Sequence, residues 1–297
     1  MSKKKKEAAL LSVLAAVVLT SFKLVVGIIT GSLGILSEAL HSALDLVAAV
    51  VTYFSVRVSD KPADRDHNYG HGKVENLSAL IETLLLLITC VWVVYEALHR
   101  LISGNTHIEV SVWSFVIVIG SIVIDVNRSR MLYKVAKETN SQALEADALH
   151  FRTDIWSSMV VLLGLVFAKF DVFWADSVAA IAVALIILSV SYKLGKKAVD
   201  VLLDKAPETS LDVARQIIKD HPQVLDYHGL KARTAGADTF IKVNIHLDPE
   251  LKLIDVHTLC DAIEKEIQER IPRSEIYIHT EPHEPSHTTS ESGDDLK

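Results

Sequence analysis

The sequence predicts a membrane domain of six transmembrane helices followed by a small soluble α+β domain. Three observations predict it. Apolar residues dominate up to about residue 192 of the 297, and charge returns afterwards. The apolar part divides into segments of roughly 20 residues, the length a bilayer crossing needs. Beyond Lys193 the pattern changes to amphipathic helices and alternating strands.

Residues 1–8 form a basic tail carrying Lys3, Lys4, Lys5 and Lys6. A secretory leader would open this way, but the apolar run that follows is long and shows no small-residue cleavage site. Further hydrophobic spans succeed it, so it reads as a first membrane helix with a cytosolic flank. Within residues 9–193 the spans are Ala9–Ile29, Leu36–Val58, Leu77–Leu101, Val112–Val126, Ala143–Phe170 and Val172–Tyr192. The fourth has the shortest apolar core and continues as a polar helix with Asp125, Asn127, Arg128 and Arg130. The uncharged Gly31–Gly34 stretch suits a tight outer hairpin.

Charge placement tests the count. An even number of spans puts both termini on one side. That side then holds Lys3–Lys6, then Arg57, Lys61, Arg65 and Lys73. It also holds Arg128, Arg130, Lys134 and Lys137, and finally Lys193, Lys196 and Lys197. The opposite side holds little beyond Arg100 and Lys169. This is the positive-inside asymmetry, and it places both ends in the cytosol.

Residues 194–207 read as a linker, and 208–285 as the soluble domain. Ser210–Asp220 is an amphipathic helix with Ser210 as its N-cap. Val224–Thr234 and Thr239–Leu247 alternate as strands around a turn at Gly236. Asp255–Arg270 is a second helix stopped by Pro272, and Ser274–Thr280 a third strand. The order αββαβ is that of a ferredoxin-like α+β domain. Residues 286–297 are polar, without apolar pattern, and read as disordered. The net charge of −7 comes largely from the acidic C-terminal third and gives no support to a nucleic-acid partner. Cys90 and Cys260 stand far apart, in different predicted domains, and form no disulfide framework.

One pattern occurs twice inside the apolar spans: His41 with Asp45, and His150 with Asp154. A spacing of four puts both groups on one helix face. A single such pair can satisfy itself by hydrogen bonding. Its duplication in two spans points to a metal site, because ionisable groups at membrane depth are costly and mark transport paths. Two imidazoles and two carboxylates complete a tetrahedral set for a divalent ion of the zinc type. The loop after the second span carries Asp64, Asp66, His67 and His71, which on residues alone reads equally as solvated polar loop. In the soluble domain His228, His246, His257 and His279 fall on different elements, with Glu281 beyond. Taken alone they read as scattered surface histidines.

Several stretches together resemble the cation diffusion facilitator family, its bacterial YiiP-type branch above all. They are Gly31–Gly34, His41 to Asp45, Pro62–Glu75, Glu145–His150 and Trp174–Asp176. The resemblance spans nearly the whole chain, to about Glu281. It implies an integral membrane homodimer in a bacterial inner membrane that exports divalent metal in exchange for protons. It implies that His41, Asp45, His150 and Asp154 form the transport site, and that Asp64, His67 and His71 form a second site, with Asp66 a neighbouring charge. A loop cannot alternate access, so the second site is regulatory or structural. The resemblance further implies a binuclear cytosolic site at the dimer interface, matched by His228, His257, His279 and Glu281. Its remaining strand histidine falls on Asn244 here, and His246, two residues on, is the candidate substitute. Lys73 and Asp204 match a charged pair tying the third span to the cytosolic domain. The YiiP-type pattern has Asp where this chain has His41. The second nitrogen ligand favours Zn2+ over hard ions, with Cd2+, Fe2+, Co2+ and Mn2+ still open as substrates.

Two readings from other classes compete with transport. One is a membrane-anchored metal-sensing or assembly protein of the same family. The other is a membrane metallohydrolase, which needs an open coordination position and a general base, and no HExxH occurs. The residues do not assign Lys23, Glu82, Glu96 or Asp176. Lys23 either snorkels or pairs with a buried carboxylate. Glu82 and Glu96 face either a dimer interface or a wet cavity.

Overall fold

Small residues decide how the helices of the first part of the chain meet. The computed structural model describes residues 2–30, 33–103, 112–168 and 174–283. The chain divides into two units, Met1–Val199 and Asp200–Lys297. The first unit is built from α1 (Ser2–Thr30), α2 (Leu33–Ser59), α3 (Lys73–Ser103), α4 (Val112–Thr139), α5 (Gln142–Ala168) and α6 (Trp174–Leu202). Buried positions are largely Ala, Ser and Thr, as at Ala9, Ser12 and Ala16 on α1 and Ala48, Ala49 and Thr52 on α2. The large apolar side chains point outward, among them Leu14, Val18, Phe22, Ile88 and Trp92. That is the pattern of helices that pack by close approach and turn their bulk toward lipid. Among the described residues, Lys3–Ile29, Ala39–Ser59 and Lys73–His99 are long and apolar enough to cross a membrane.

Two hairpins frame the unit, α1 with α2 and α4 with α5. The second closes through Asn140 in the left-handed region (φ 51°) and Ser141, whose hydroxyl accepts from Leu144 N at 3.4 Å. The basic tail is not a separate segment, because α1 is helical from Ser2. Its lysines are drawn into the unit. Lys5 is buried and donates to Glu75 Oε1 at 2.7 Å, with Asp60 at 3.1 Å. Ser59 and Ser141 also donate to Glu75, so one carboxylate ties α1, the end of α2, the start of α3 and the α4–α5 turn. Glu145 in turn bridges Lys137 of α4 and Lys197 of α6, at 3.1 and 2.6 Å.

Several sequence expectations are corrected. α6 stays helical to Leu202, through most of the expected linker. Arg128, read from sequence as one of the cytosolic-side charges, is buried, pairs with Asp125 at 3.5 Å and stacks on Phe151 with 3.6 Å from its guanidinium carbon to the ring centre. Residues 31–32 of the outer hairpin and the Lys169 and Arg100 side chains lie outside the described part.

The second unit contains α7 (Glu208–Asp220), β1 (Asp226–Ala235), β2 (Asp238–Leu247), α8 (Leu253–Arg270) and β3 (Ser274–Pro282), the expected αββαβ order. β1 pairs antiparallel with β2, and β2 pairs parallel with β3. Ile241, Val243, Ile245 and Leu247 alternate onto one face and bury against Ile217 and Ile218 of α7 and Ile263 and Ile267 of α8. Ser210 is not the N-cap. α7 begins two residues earlier behind Pro207, whose carbonyl accepts from Ser210 N at 2.9 Å. Proline suits this entry because its fixed φ sets the chain for the turn.

The Lys5–Glu75 pair makes a prediction. Glu75→Ala leaves a buried ammonium short of its main partner and is expected to destabilise the protein by about 3 kcal/mol. Lys4→Ala, which removes an exposed pair with Glu138, is expected to cost no more than about 1 kcal/mol. Thermal unfolding of the two variants in detergent distinguishes them, and equal midpoints would contradict the brace.

Candidate metal centres

A tetrahedral ion with bonds of about 2.0–2.1 Å to nitrogen and oxygen holds its ligand atoms roughly 3.3 Å apart. That distance is the yardstick for each cluster. In the helical unit, α2 presents His41 and Asp45 one turn apart, and α5 presents His150 and Asp154 likewise. The four side chains meet. His150 Nε2 lies 3.2 Å from Asp45 Oδ1 and 3.5 Å from Asp154 Oδ2. His41 Nε2 lies 4.0 Å from Asp45 Oδ1 and 3.8 Å from Asp154 Oδ1. The two halves of the repeated pattern therefore form one cluster. Asp154 Oδ2 is buried without a hydrogen bond. Buried polar atoms normally have partners, so this oxygen leaves bonding capacity for a cation.

More charge surrounds this cluster than the spacing argument shows. Asp147 sits one turn before His150 on α5 and accepts from Ser12 Oγ at 3.1 Å. Arg128 Nη2 donates to the same hydroxyl at 3.0 Å. Glu82 is fully buried on α3 and accepts from Thr52, so it faces neither an outer surface nor a wet cavity of this unit. The side chains of Glu96 and Asp176 lie outside the described residues. Cys90 donates to Ala184 O at 3.1 Å and packs as a small helix residue.

The loop cluster is organised by Asp64. Its Oδ1 accepts from the backbone of His67 at 2.8 Å and of Asp66 at 3.0 Å. This Asx-type turn folds the following residues back on it. The same oxygen lies 3.3 Å from His67 Nδ1, and Oδ2 lies 3.3 Å from His71 Nε2. Asp64, His67 and His71 thus converge, while Asp66 lends only its backbone. Gly70 (φ 73°) lets the chain reverse before His71, a conformation glycine adopts without strain.

In the second unit the ligand types sit on the sheet face opposite the helices. The register sets Asn244 between His228 and His279, and His246 beside Glu281. His246 Nε2 lies 3.0 Å from His228 Nδ1 and 3.5 Å from Glu281 Oε2. Asn244 donates to Glu281 at 3.1 Å and lies at the same distance from His228 Nε2. His246 is therefore in the cluster, and Asn244 supports it. His279 Nε2 stands at its edge, 3.6 Å from Glu281 Oε1. Within one chain His257 stands apart from this cluster. It stands exposed on α8 beside Asp261 at 3.6 Å, and α8 covers the other face of the sheet. His283 packs its ring 6.0 Å from that of His246. Burial, then Glu264 and Asp261, push the Cys260 thiol up, away from the thiolate form a metal ligand needs.

Residues 9–203 match the cation efflux transmembrane domain, and residues 206–283 the cation efflux protein cytoplasmic domain. The chain belongs to the cation efflux family. This cation efflux protein is 30% identical to the cation-efflux pump FieF of Shewanella oneidensis over 285 residues, 96% of each chain. It is 34% identical to the magnetosome protein MamB of Magnetospira sp. over 256 residues, covering 85% of this chain and 86% of that one. The metal-bound C-terminal domain of the CzcD transporter from Thermotoga maritima is 29% identical. It covers 25% of this chain and 88% of its own, with a TM-score of 0.25. The cation efflux protein is thus an integral membrane protein with a cytosolic α+β domain. Lys73 opens α3 in the first unit. Asp204 lies in the second unit, where Arg233 donates to it at 3.4 Å.

The loop yields a pH prediction. Hydrogen bonds from the backbone of His67, and then of Asp66, hold the Asp64 carboxyl below its ordinary value of 3.8 against some desolvation. A lowered value means the ionised loop is favoured above 3.8 and loses that preference only as pH falls further. Backbone amide-exchange protection of the turn at His67 is therefore expected to weaken as pH falls below 3.8. In Asp64→Asn that acid-dependent loss is expected to disappear, and its persistence in the variant would refute this.

Proposed function

We propose that this cation efflux protein exports Zn2+ in exchange for protons through a site made of His41, Asp45, His150 and Asp154. The single observation that carries the reading is the convergence of His41, Asp45 and Asp154, whose ligand atoms lie within 4.8 Å of one another, with His150 Nε2 a further 3.2 Å from Asp45 Oδ1. Two nitrogens with two oxygens suit zinc better than manganese or magnesium. Imidazole also lets protons and metal compete for the same atoms near neutral pH, which is what an antiporter requires. A cytosolic ion displaces protons, the helices rearrange, and protons on the far side displace the ion.

The other two clusters serve a resident role in this reading. Asp64, His67 and His71 hold an ion that steadies the loop entering α3. His228, His246 and Glu281, with His279 beside them, hold metal on the open face of the cytosolic sheet, where a second copy docks to make a homodimer. The membrane is a bacterial inner membrane with both termini cytosolic, in line with the distribution of lysine and arginine.

Reconstituted protein in vesicles with an imposed pH gradient tests the proposal. Asp154→Ala is expected to cut zinc transport to less than about a tenth of wild type. Wild-type transport by that variant would end the assignment. His41→Asp, which replaces a nitrogen ligand by oxygen, is expected to raise manganese transport relative to zinc. An unchanged ratio would detach selectivity from His41.

A further inference from the structure

One turn of α5 is held at three points, and it is the turn that carries His150. At its start Ser12 of α1 donates to Asp147 Oδ2 at 3.1 Å. Next, Ser129 of α4 donates to Ala148 O at 2.8 Å. At its end the guanidinium of Arg128, the neighbouring α4 residue, lies over the Phe151 ring at 3.6 Å. Arg128 Nη2 also donates to Ser12 Oγ at 3.0 Å, so one cation reaches both ends of the turn. Its Nη1 stands 3.5 Å from Asp125 Oδ1 on its own helix.

Both partners in the stack are deep in the unit, with Arg128 5% exposed and Phe151 0%. Phe151 sits among Ala8, Ala9, Ala136, Ala143 and Ala148, small residues that let the helices close on it. The His150 ring meets the Phe151 ring edge-on, with centroids 5.6 Å apart and planes at 88°. Edge-to-face contact is a preferred geometry of aromatic pairs and sets the orientation of one ring by the other. That matters because a ligating imidazole is ordinarily aimed by a hydrogen bond at its second nitrogen. Among the described residues none reaches His150 Nδ1, which is buried. The direction of the ring toward Asp45 is therefore left to the helix backbone and to packing against Phe151.

We propose that Arg128 is a positioning residue for the transport site. It acts through Phe151: its flat face holds that ring, and the ring holds the His150 imidazole toward Asp45. The proposal rests on the reading of His41, Asp45, His150 and Asp154 as the transport site. Four groups drawn from two helices bind one ion well only when each is held close to its productive direction. Arginine suits the task and lysine does not. A guanidinium is planar, so it stacks on an aromatic face while its terminal nitrogens reach Ser12 and Asp125. An ammonium at the same place would keep the charge and lose the flat contact. Neutralising buried carboxylates asks only for a charge, whereas bracketing residues 147–151 asks for this shape.

The test uses the full-length protein and zinc as the probe. Zinc binding is measured by competition with a chelator, and the share lost in Asp154→Ala defines the site in the membrane domain. Arg128→Lys is expected to weaken zinc binding there on the order of tenfold, the scale usual for a lost supporting contact. Zinc held elsewhere in the protein is expected to be unchanged. In vesicles the same variant is expected to show a raised apparent KM with a nearly unchanged maximal rate. Phe151→Leu, which removes the ring, is expected to give the same results and carries the test if Arg128→Lys does not fold. The variant with both changes is expected to lose no more than either alone, because the two residues act in series. A folded single variant with wild-type zinc binding at that site overturns the proposal, even where its thermal midpoint falls. Losses that add in the double variant overturn it too. Failure of the underlying assignment has its own signature, since Asp154→Ala would then lose no zinc.

Discussion

Asp45 of α2 and His150 of α5, 3.2 Å apart, are the contact around which the helical unit is arranged. Such a pair is expensive to bury and is tolerated only with further partners. The unit supplies them. His41 and Asp154 close the cluster, Arg128 pairs with Asp125, and Ser12 and Thr52 satisfy neighbouring carboxyls. The small residues that line the helices follow from the same need. Only close backbone approach brings side chains as short as Asp45 and Asp154 from different helices to one point. The bulky apolar side chains are left to face outward, inverting the pattern of a soluble bundle.

The cytosolic unit reaches a metal-binding geometry by a different route. Here a sheet does what helix spacing does in the first unit. Strand alternation sends isoleucine and valine to the helix-covered face and His228, His246 and Glu281 to the other. The cross-strand register brings side chains more than 30 residues apart in sequence into contact, as with His246 and Glu281. Because the core lies on one face only, ligands can change there without repacking it. Asn244 stands where the family resemblance implies a histidine, and His246 on the same face reaches His228 and Glu281.

The features legible in the sequence are those carried by local periodicity. A four-residue spacing states which side chains share a helix face, so His41 with Asp45 and His150 with Asp154 could be paired before any coordinates. The αββαβ order followed from alternation in the same way. Arg128 was not legible, because what buries it is Ser12 and Asp125 on the fold's own interior face, and charge counting treats every arginine after an apolar run as exposed. The distance of His257 from His228, His246 and Glu281 within one chain has a similar cause. Sequence places it among the ligand types, but which side of the sheet α8 covers is a tertiary fact. Glu82 and Asp147 were equally silent, since nothing local distinguishes a buried glutamate from one on a wet surface.

The entry to α3 joins two features described separately. Val74 N bonds to His71 O at 3.0 Å and Glu75 N to Gly72 O at 3.2 Å, so a loop ligand and the carboxylate that grips Lys5 belong to one continuous turn. Rigidity imposed at one is therefore inherited by the other. An ion seated between Asp64, His67 and His71 would lower the local unfolding of that turn and lengthen the lifetime of the Lys5 contact beneath it. With an ion bound, the loop would act as a stiffener whose occupancy sets how readily these ends of α1, α2 and α3 part from one another. A chelator in the medium would loosen those ends without touching a single residue of the membrane interior.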